Sequence, residues 1–400
     1  MKKLYYNIQH KRITVIISIL LFIIAWGSMK ISLPALPTLV KTFNTSSNKV
    51  MLSVSMFFCA FALSQLFWGA FSDKYGRKPT IVVGILISIL GTAIVIFSIG
   101  INSYILGRCI EGVGVGVCSP SARAIITDIY NRKKIARFLT ISGSVVGLMP
   151  AVAPIIGGFI LQYFGWRYIF VFMFILILLF LIIIYKKLPE THKDISNDIP
   201  LLKRFYTAGN ILKSRLFWRY IVCYALVQGS LLGYYGSMPF WYIKQWGIPK
   251  QYYSFLALFS VGGYILGLFL VRHMIKKISL EFILKDAIFF ILGIAIMSLI
   301  FAIIGFSGIF YLVLIMSFFA IASGIIFPTV NALLLDIFKE NAGMISAVST
   351  TILFLTAGML ALIESQFNVL NLWNLTVFLI IISAGCLLSN CTFKREYRNF

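Results

Sequence analysis

Long apolar runs recur along this chain, separated by short polar breaks. Twelve candidates lie near residues 13–35, 49–72, 79–98, 103–128, 136–162, 166–185, 217–243, 252–274, 281–304, 308–333, 342–366 and 370–391. A helix needs about 20 apolar residues to cross the hydrocarbon of a bilayer, so each run predicts a membrane-spanning helix. The first run follows Lys2, Lys3, Lys11 and Arg12. It is too long for the core of a signal peptide and lacks a small-residue cleavage site, so a retained span is expected. One polar stretch, 186–216, separates six spans from six. The expected organisation is an N-terminal six-helix bundle at 1–185, a cytoplasmic central loop at 186–216 and a C-terminal six-helix bundle at 217–400. Within the loop, Leu202, Phe205, Tyr206 and Leu212 fall at roughly helical spacing, with Lys203, Arg204 and Lys213 between them. A short interfacial helix and a solvated linker both fit that pattern.

Composition excludes the soluble alternatives. The 400 residues are 60% hydrophobic and 12% charged, against about 45–50% and 25% for a typical globular chain. The formal net charge of +23 would suggest a nucleic-acid partner until it is mapped onto the spans. Lys and Arg gather on alternate sides of them. One side carries the N-terminal four, Lys74, Arg77, Lys78, the 132–137 cluster, the central loop and its edges, the 272–285 group, Lys339 and the tail, which makes 27. The other side carries Lys41, Lys49, Arg167, Lys244 and Lys250, which makes 5. Cytoplasmic loops hold the excess of Lys and Arg. Both termini are therefore expected in the cytoplasm, and no nucleic acid is expected as partner. The six cysteines have no C-x-x-C spacing, and the three histidines (His10, His192, His273) stand near charged segments. Neither a metal site nor a disulfide framework is expected. No Walker-type phosphate loop is present, so ATP is not expected to drive the protein directly. No span or loop offers a nucleophile–base pair, so neither an enzyme nor a cofactor is expected.

Three motifs carry more. The loop between spans 2 and 3 reads GAFSDKYGRKPTIVVG, with Gly69, Asp73, Gly76, Arg77 and Lys78 at fixed intervals. Gly69 is expected to let two helices approach closely, and Gly76 to allow a sharp turn. Asp73, at a helix end, can pair with Arg77, and Arg77 can also reach Asp128 at the end of span 4. A degenerate echo, GLFLVRHMIKK, follows span 8, as two related halves would give. Span 4 holds Arg108 and Glu111, then Gly112, Gly114 and Gly116, which make a thin helix suited to close packing. Span 5 holds Pro150 and, in APIIGG, Pro154, Gly157 and Gly158. The prolines are expected to kink it and the glycines to let it slide on a partner.

The loop resembles the signature G-x-x-x-D-x-x-G-R-K of the major facilitator superfamily. The other two resemble that family's Arg-containing span-4 motif and its antiporter motif G-P-x-x-G-G, with Ala153 in the first place. The whole most resembles the Bcr/CflA group of drug:proton antiporters. The residues behind that choice are Ser32-Leu33-Pro34-Ala35-Leu36-Pro37 and the run from Arg108 to Phe170, including ARAIITDIY, APIIGG and GWRYIF. The resemblance implies an all-α integral membrane protein, with twelve transmembrane helices in two pseudo-symmetric six-helix bundles. It further implies a monomeric, alternating-access exporter in the inner (plasma) membrane, whose partners are a small-molecule substrate, protons and the lipid bilayer. Asp73, Arg77 and Asp128 would form a cytoplasmic latch favouring the outward-facing state. One departure is informative: the group usually carries an acid before L-P-A-L-P, and Lys30 stands there.

Charged residues within a span are costly and are functional candidates by default. Arg123 and Glu364 lie near span ends and are expected to snorkel to water. Lys30 and Arg108 are each expected about 7–8 Å below the outer boundary. Glu111 would lie one turn deeper, on the face of Arg108. Two readings stay open. Glu111 pairs permanently with Arg108 while Lys30 snorkels outward, or Glu111 exchanges a proton as substrate binds and Lys30 attracts an anionic group. Spans 1, 4, 7 and 10 line the cavity of the resembled fold. Tyr224, Gln228, Tyr234 and Tyr235 on span 7 would add polar and aromatic contacts to the substrate. An amphipathic drug suits this chemistry, as does an anionic or zwitterionic metabolite such as a carboxylate siderophore.

Overall fold

The computed structural model describes residues 2–130, 132–191, 209–306, 308–338, 342–364, 366–367 and 372–392. Two compact units divide the chain, Met1–Leu201 and Leu202–Phe400. The first contains α1 (Lys2–Lys30), a 3-10 turn (Leu33–Ala35), α2 (Leu36–Thr42), α3 (Ser47–Tyr75), α4 (Arg77–Ile96), α5 (Ile101–Val115), α6 (Cys118–Ile129), α7 (Arg132–Tyr163) and α8 (Trp166–Lys187). The second contains α9 (Arg215–Pro239), a π-helical turn (Phe240–Gln245), a 3-10 turn (Tyr253–Leu256), α10 (Ala257–Met274), α11 (Leu280–Ile304), α12 (Ile309–Ile337), α13 (Ala342–Glu364) and α14 (Leu372–Thr392).

These helices make twelve spans, six in each unit. Eleven are long and apolar enough to cross a membrane, and α7, apolar over Gly147–Tyr163, is the twelfth. Two spans are built from two helices each. The first runs through Ile13–Thr42, past the sequence-expected end near residue 35. Pro34 and Pro37 do not stop it, because each falls in the first turn of a new helical segment, where a missing N–H costs nothing. The fourth, Ile101–Ile129, breaks between α5 and α6 at Gly116 and Val117. Of the residues read as an interfacial pattern, 202–208 lie outside the described residues, while Leu212 falls in a short helical run at 209–213.

Helix ends follow local chemistry. Ser46 Oγ accepts from the Lys49 N–H at 3.3 Å to cap α3, and Ser214 Oγ accepts from the Phe217 N–H at 3.4 Å to cap α9. Gly76, at φ 95°, sits between α3 and α4 in backbone that side chains rarely tolerate.

Between spans there is little hydrophobic drive in lipid, so close packing of small residues holds them together. In the first unit, α5 lies between α3 and α4 with almost no side chain at the crossings. A Cβ on Gly91 would sit 2.3 Å from the Glu111 nitrogen, one on Gly114 2.2 Å from the Ser88 nitrogen, and one on Gly112 2.7 Å from the Phe57 carbonyl oxygen. Gly157 meets the Ile31 carbonyl oxygen in the same way, at 1.9 Å. Gly69 does not belong to this set, since a Cβ there would have nothing within 4 Å. The close approach expected of it is made one helix further on. In the second unit, Gly267 and Gly324 bring α10 and α12 together, each against a carbonyl oxygen of the other helix.

Candidate functional site

The first cluster gathers at the junction of α3 and α4. Arg77 opens α4 and is almost fully buried. Its guanidinium donates to Asp128 at the end of α6, 2.9 Å from Nε, to Asp73 on the last turn of α3, and to Ser72 Oγ at 3.1 Å. Gly76 makes the turn that lets a residue four positions after Asp73 point back at it. The sequence did not single out Glu190, just beyond α8. Its carboxylate accepts from the backbone N–H groups of Arg77 at 2.9 Å and Lys78 at 3.1 Å, an acid placed on a helix N-terminus. Thr191 Oγ1 adds a hydrogen bond to Asp128 at 3.2 Å. Lys78 itself points to the Tyr185 ring, 5.5 Å from its centroid. The cluster thus ties α3, α4, α6 and the end of α8. A local signal for Glu190 existed in LPET after span 6, but nothing in sequence spacing links it to a turn more than a hundred residues earlier.

The second cluster lies inside the first unit. Arg108 Nη1 is 2.6 Å from Glu111 Oε2, and both side chains are buried. The guanidinium lies over the Phe57 ring at 4.1 Å from its centroid. Its longer contacts, both 3.4 Å, go to the Ser28 carbonyl on α1. Lys30, two residues further along α1, is buried at 1% exposure with its Nζ 5.8 Å from the centroid of Phe58. It therefore does not snorkel outward. It also lies deeper than its distance to residue 35 implied. The span continues twelve residues beyond Lys30 to Thr42, which is about 18 Å of helix. Among the polar atoms of this unit that are buried with no hydrogen-bond partner are Ser28 Oγ, Tyr104 Oη and Glu111 Oε1. An unpaired polar group in an apolar interior costs about 1–3 kcal/mol, so such groups mark where ligand or water is to be met.

The span-7 residues are also internal. Gln228 and Ser323 on α12 hold each other, with Ser323 Oγ donating to Gln228 Oε1 at 2.8 Å and Gln228 Nε2 donating to the Ser323 carbonyl at 3.3 Å. Tyr224 packs on Phe327, centroids 6.0 Å apart. Tyr234 pairs with Tyr242 at 3.2 Å, and Tyr235 with Ser260 at 3.2 Å. All are buried in the second unit. Pro150 and Pro154 lie inside α7 as expected, and Gly157 and Gly158 are buried.

In the second unit, one polar cluster was not singled out by the sequence and one acid lies where it was not expected. Arg219 donates to Glu281 Oε2 at 3.0 Å and to Asn390 Oδ1 at 3.1 Å, while the Tyr220 hydroxyl donates to Glu281. This joins α9, α11 and α14 in a polar cluster of the second unit. Glu364, expected to snorkel, is instead 2% exposed. Its carboxylate lies on Gly233 of α9, where a Cβ would be 2.8 Å from Oε2. The glycine opens a place at the crossing that the acid fills. No group of three or more metal-ligating side chains occurs among the described residues.

The described helices thus make twelve spans in two units, with a buried ion pair inside span 4 and a charged turn between spans 2 and 3. The chain belongs to the Major Facilitator Superfamily, whose sequence profile matches residues 18–362. Among relatives, an uncharacterized transporter of Rickettsia felis is 28% identical over 64% of this chain and 63% of its own length. A bicyclomycin resistance protein homolog of Haemophilus influenzae is 27% identical over 64% of this chain and 65% of its own. The matched stretch thus spans less than two thirds of these curated relatives. The multidrug resistance protein MdtL of Shewanella oneidensis is 24% identical over 89% of both chains. A D-xylose-proton symporter has the same fold, with a TM-score of 0.71, 15% identity, and coverage of 96% of this chain and 98% of its own.

Proposed function

We propose that the protein is a proton-coupled secondary exporter of small amphipathic compounds, working by alternating access. The observation that carries this reading is the Arg108–Glu111 pair, sealed inside the first unit beside buried polar atoms without partners. A membrane interior tolerates such groups at a cost that function justifies. The relatives named for bicyclomycin and multidrug resistance support the compound class. Glu111 is the main proton-linked acid in this reading. Substrate that competes for Arg108 frees Glu111 to take a proton, which links the two fluxes. The charge of the cargo has a second reading. Lys30, buried in span 1, favours an anionic or zwitterionic compound such as a carboxylate siderophore.

The test is transport in proteoliposomes of ethidium, chloramphenicol and citrate, with and without an imposed pH gradient. Gradient-dependent accumulation of at least one is expected. Equal fluxes with and without the gradient would remove proton coupling. Lys30→Asp is expected to shift preference from anion toward cation by about tenfold, on the order of 1.4 kcal/mol. Unchanged selectivity would return Lys30 to a packing role.

The protein is further read as sitting in the inner (plasma) membrane with both termini cytoplasmic, on the 27-to-5 division of Lys and Arg. Cysteines introduced at Asn44 and Ser196 are expected to react differently with an impermeant thiol reagent added to intact cells. Asn44 should label and Ser196 should not, and labelling at Ser196 would invert the topology.

A further inference from the structure

The two buried acids of this chain differ in how their charge is met. Glu111 has a guanidinium 2.6 Å away. Glu364 has no ion pair and no side-chain hydrogen bond among the described residues, and its Oε2 is fully enclosed without a partner. The carboxylate faces the Cα of Gly233 on α9.

Among the described residues, the helices packed on α9 bring no cation to this carboxylate, and α14 carries no lysine, arginine or histidine. On α9 the basic residues, Arg215 and Arg219, stand in its first turns. Gly233 comes fourteen residues after Arg219, about 21 Å of helix. Lys244, in the following π-helical turn, is exposed. Neither α12 nor α13 carries a lysine, arginine or histidine. The titratable groups facing this part of the unit are the phenols of Tyr234 and Tyr242, which pair with each other at 3.2 Å, and that of Tyr235, which pairs with Ser260. Tyr311, at the start of α12, pairs with Ser298 at 2.7 Å. None of these neutralises a carboxylate.

An ionised carboxylate with neither cation nor donors is not stable in such surroundings; the neutral acid is compatible with them. Ionisation then requires water or a positive charge to arrive. Two further polar groups follow Gly233 along the same span, Arg215–Gln245. Ser237 Oγ, one turn on, and Trp241 Nε1, two turns on, are both buried without a hydrogen-bond partner. Trp241 lies within the π-helical turn Phe240–Gln245, a departure from α-helix that recurs at functional sites.

From this geometry we infer that Glu364 is a second proton-binding carboxyl, seated in the C-terminal unit and independent of the Arg108–Glu111 pair. It holds a proton in the packed arrangement against Gly233 and releases it when that crossing opens toward Ser237 and Trp241. The inference rests on the proton-coupled reading for its role in transport, but not for the titration itself.

Two arms test it on the full-length protein. The first is infrared difference spectroscopy of the protein in lipid as pH is stepped, with the proton as the only ligand. A protonated-carboxyl C=O band that appears and disappears with pH is expected. It should be lost in Glu364→Gln, shifted in Glu364→Asp, and kept in Glu111→Gln. A spectrum unchanged by Glu364→Gln would overturn the inference. The second arm uses whichever of ethidium, chloramphenicol or citrate the wild type moves. Glu364→Gln is expected to lower gradient-driven transport at least tenfold while leaving gradient-free exchange of the same compound within twofold. Equal loss of both, in a variant whose melting temperature matches the wild type, would overturn the inference by making Glu364 a substrate contact. Should the wild type move none of the three compounds, the exporter reading fails while the spectroscopic arm still decides whether Glu364 titrates.

Discussion

Glu111→Gln is expected to abolish gradient-driven transport and to lower the melting temperature of the protein, while substrate binding persists. The side chain keeps its shape, but Arg108 is left as an uncompensated cation in a fully buried position. Removing one partner of a buried pair costs about 3–5 kcal/mol, a change of about 100-fold or more in any equilibrium that depends on it. Stability and transport should separate in the double variant Arg108→Gln with Glu111→Gln. Removing both charges is often close to neutral for stability, so the melting temperature should recover toward that of the wild type. Transport should not recover, because the pair whose exchange links substrate to proton in the first unit is gone, and Glu364 alone does not replace it. Initial rates in proteoliposomes and thermal unfolding in detergent measure the two quantities. Wild-type transport by the double variant would make the pair structural and end the coupling role of Glu111.

Arg77→Ala is expected to lower transport about tenfold or more, with folding and membrane insertion largely kept. Arg77 joins Asp73 on α3 to Asp128 on α6, and its own backbone N–H is capped by Glu190. Charge-assisted hydrogen bonds of this kind are worth about 1.5–3 kcal/mol each when removal leaves a partner unpaired. Loss of two approaches the few kcal/mol that separate conformers of a transporter. Smaller effects should follow at the rim. The Asp73 side chain is 33% exposed and that of Asp128 is 18% exposed, so Asp73→Asn, softened by solvent, should cost less than Asp128→Asn. The role proposed for this cluster is to favour the outward-facing conformer. Arg77→Ala should then shift the conformer distribution in a distance measurement between spin labels, as well as the rate. Normal transport by Arg77→Ala would leave the cluster as an ordinary charged turn.

The architecture was legible because the membrane restricts it so strongly. A run of about 20 apolar residues has one structural outcome in lipid, and the spacing of Asp73, Gly76, Arg77 and Lys78 describes a turn that geometry then forces. The meeting of Arg108 with Glu111 was legible for the same reason, since residues three apart share a helix face.

Pairings across helices, apart from that of Arg77 with Asp128, were decided elsewhere. Sequence alone determined the class of the protein, its spans, the charged turn and the local ion pair. All of these depend on residues within a few turns of one another. Which glycines carry the crossings was set by the tertiary structure: Gly91 and Gly114 meet neighbouring backbone while Gly69 meets nothing. The tertiary structure also brought Glu190 to the N-terminus of α4, carried span 1 past Pro34 and Pro37 so that Lys30 lies deep, and buried Glu364 on Gly233. Hydropathy placed Glu364 at a span end and so in reach of water. Its position depends instead on a missing side chain more than a hundred residues away, and a gap of that kind exists only once two helices have packed.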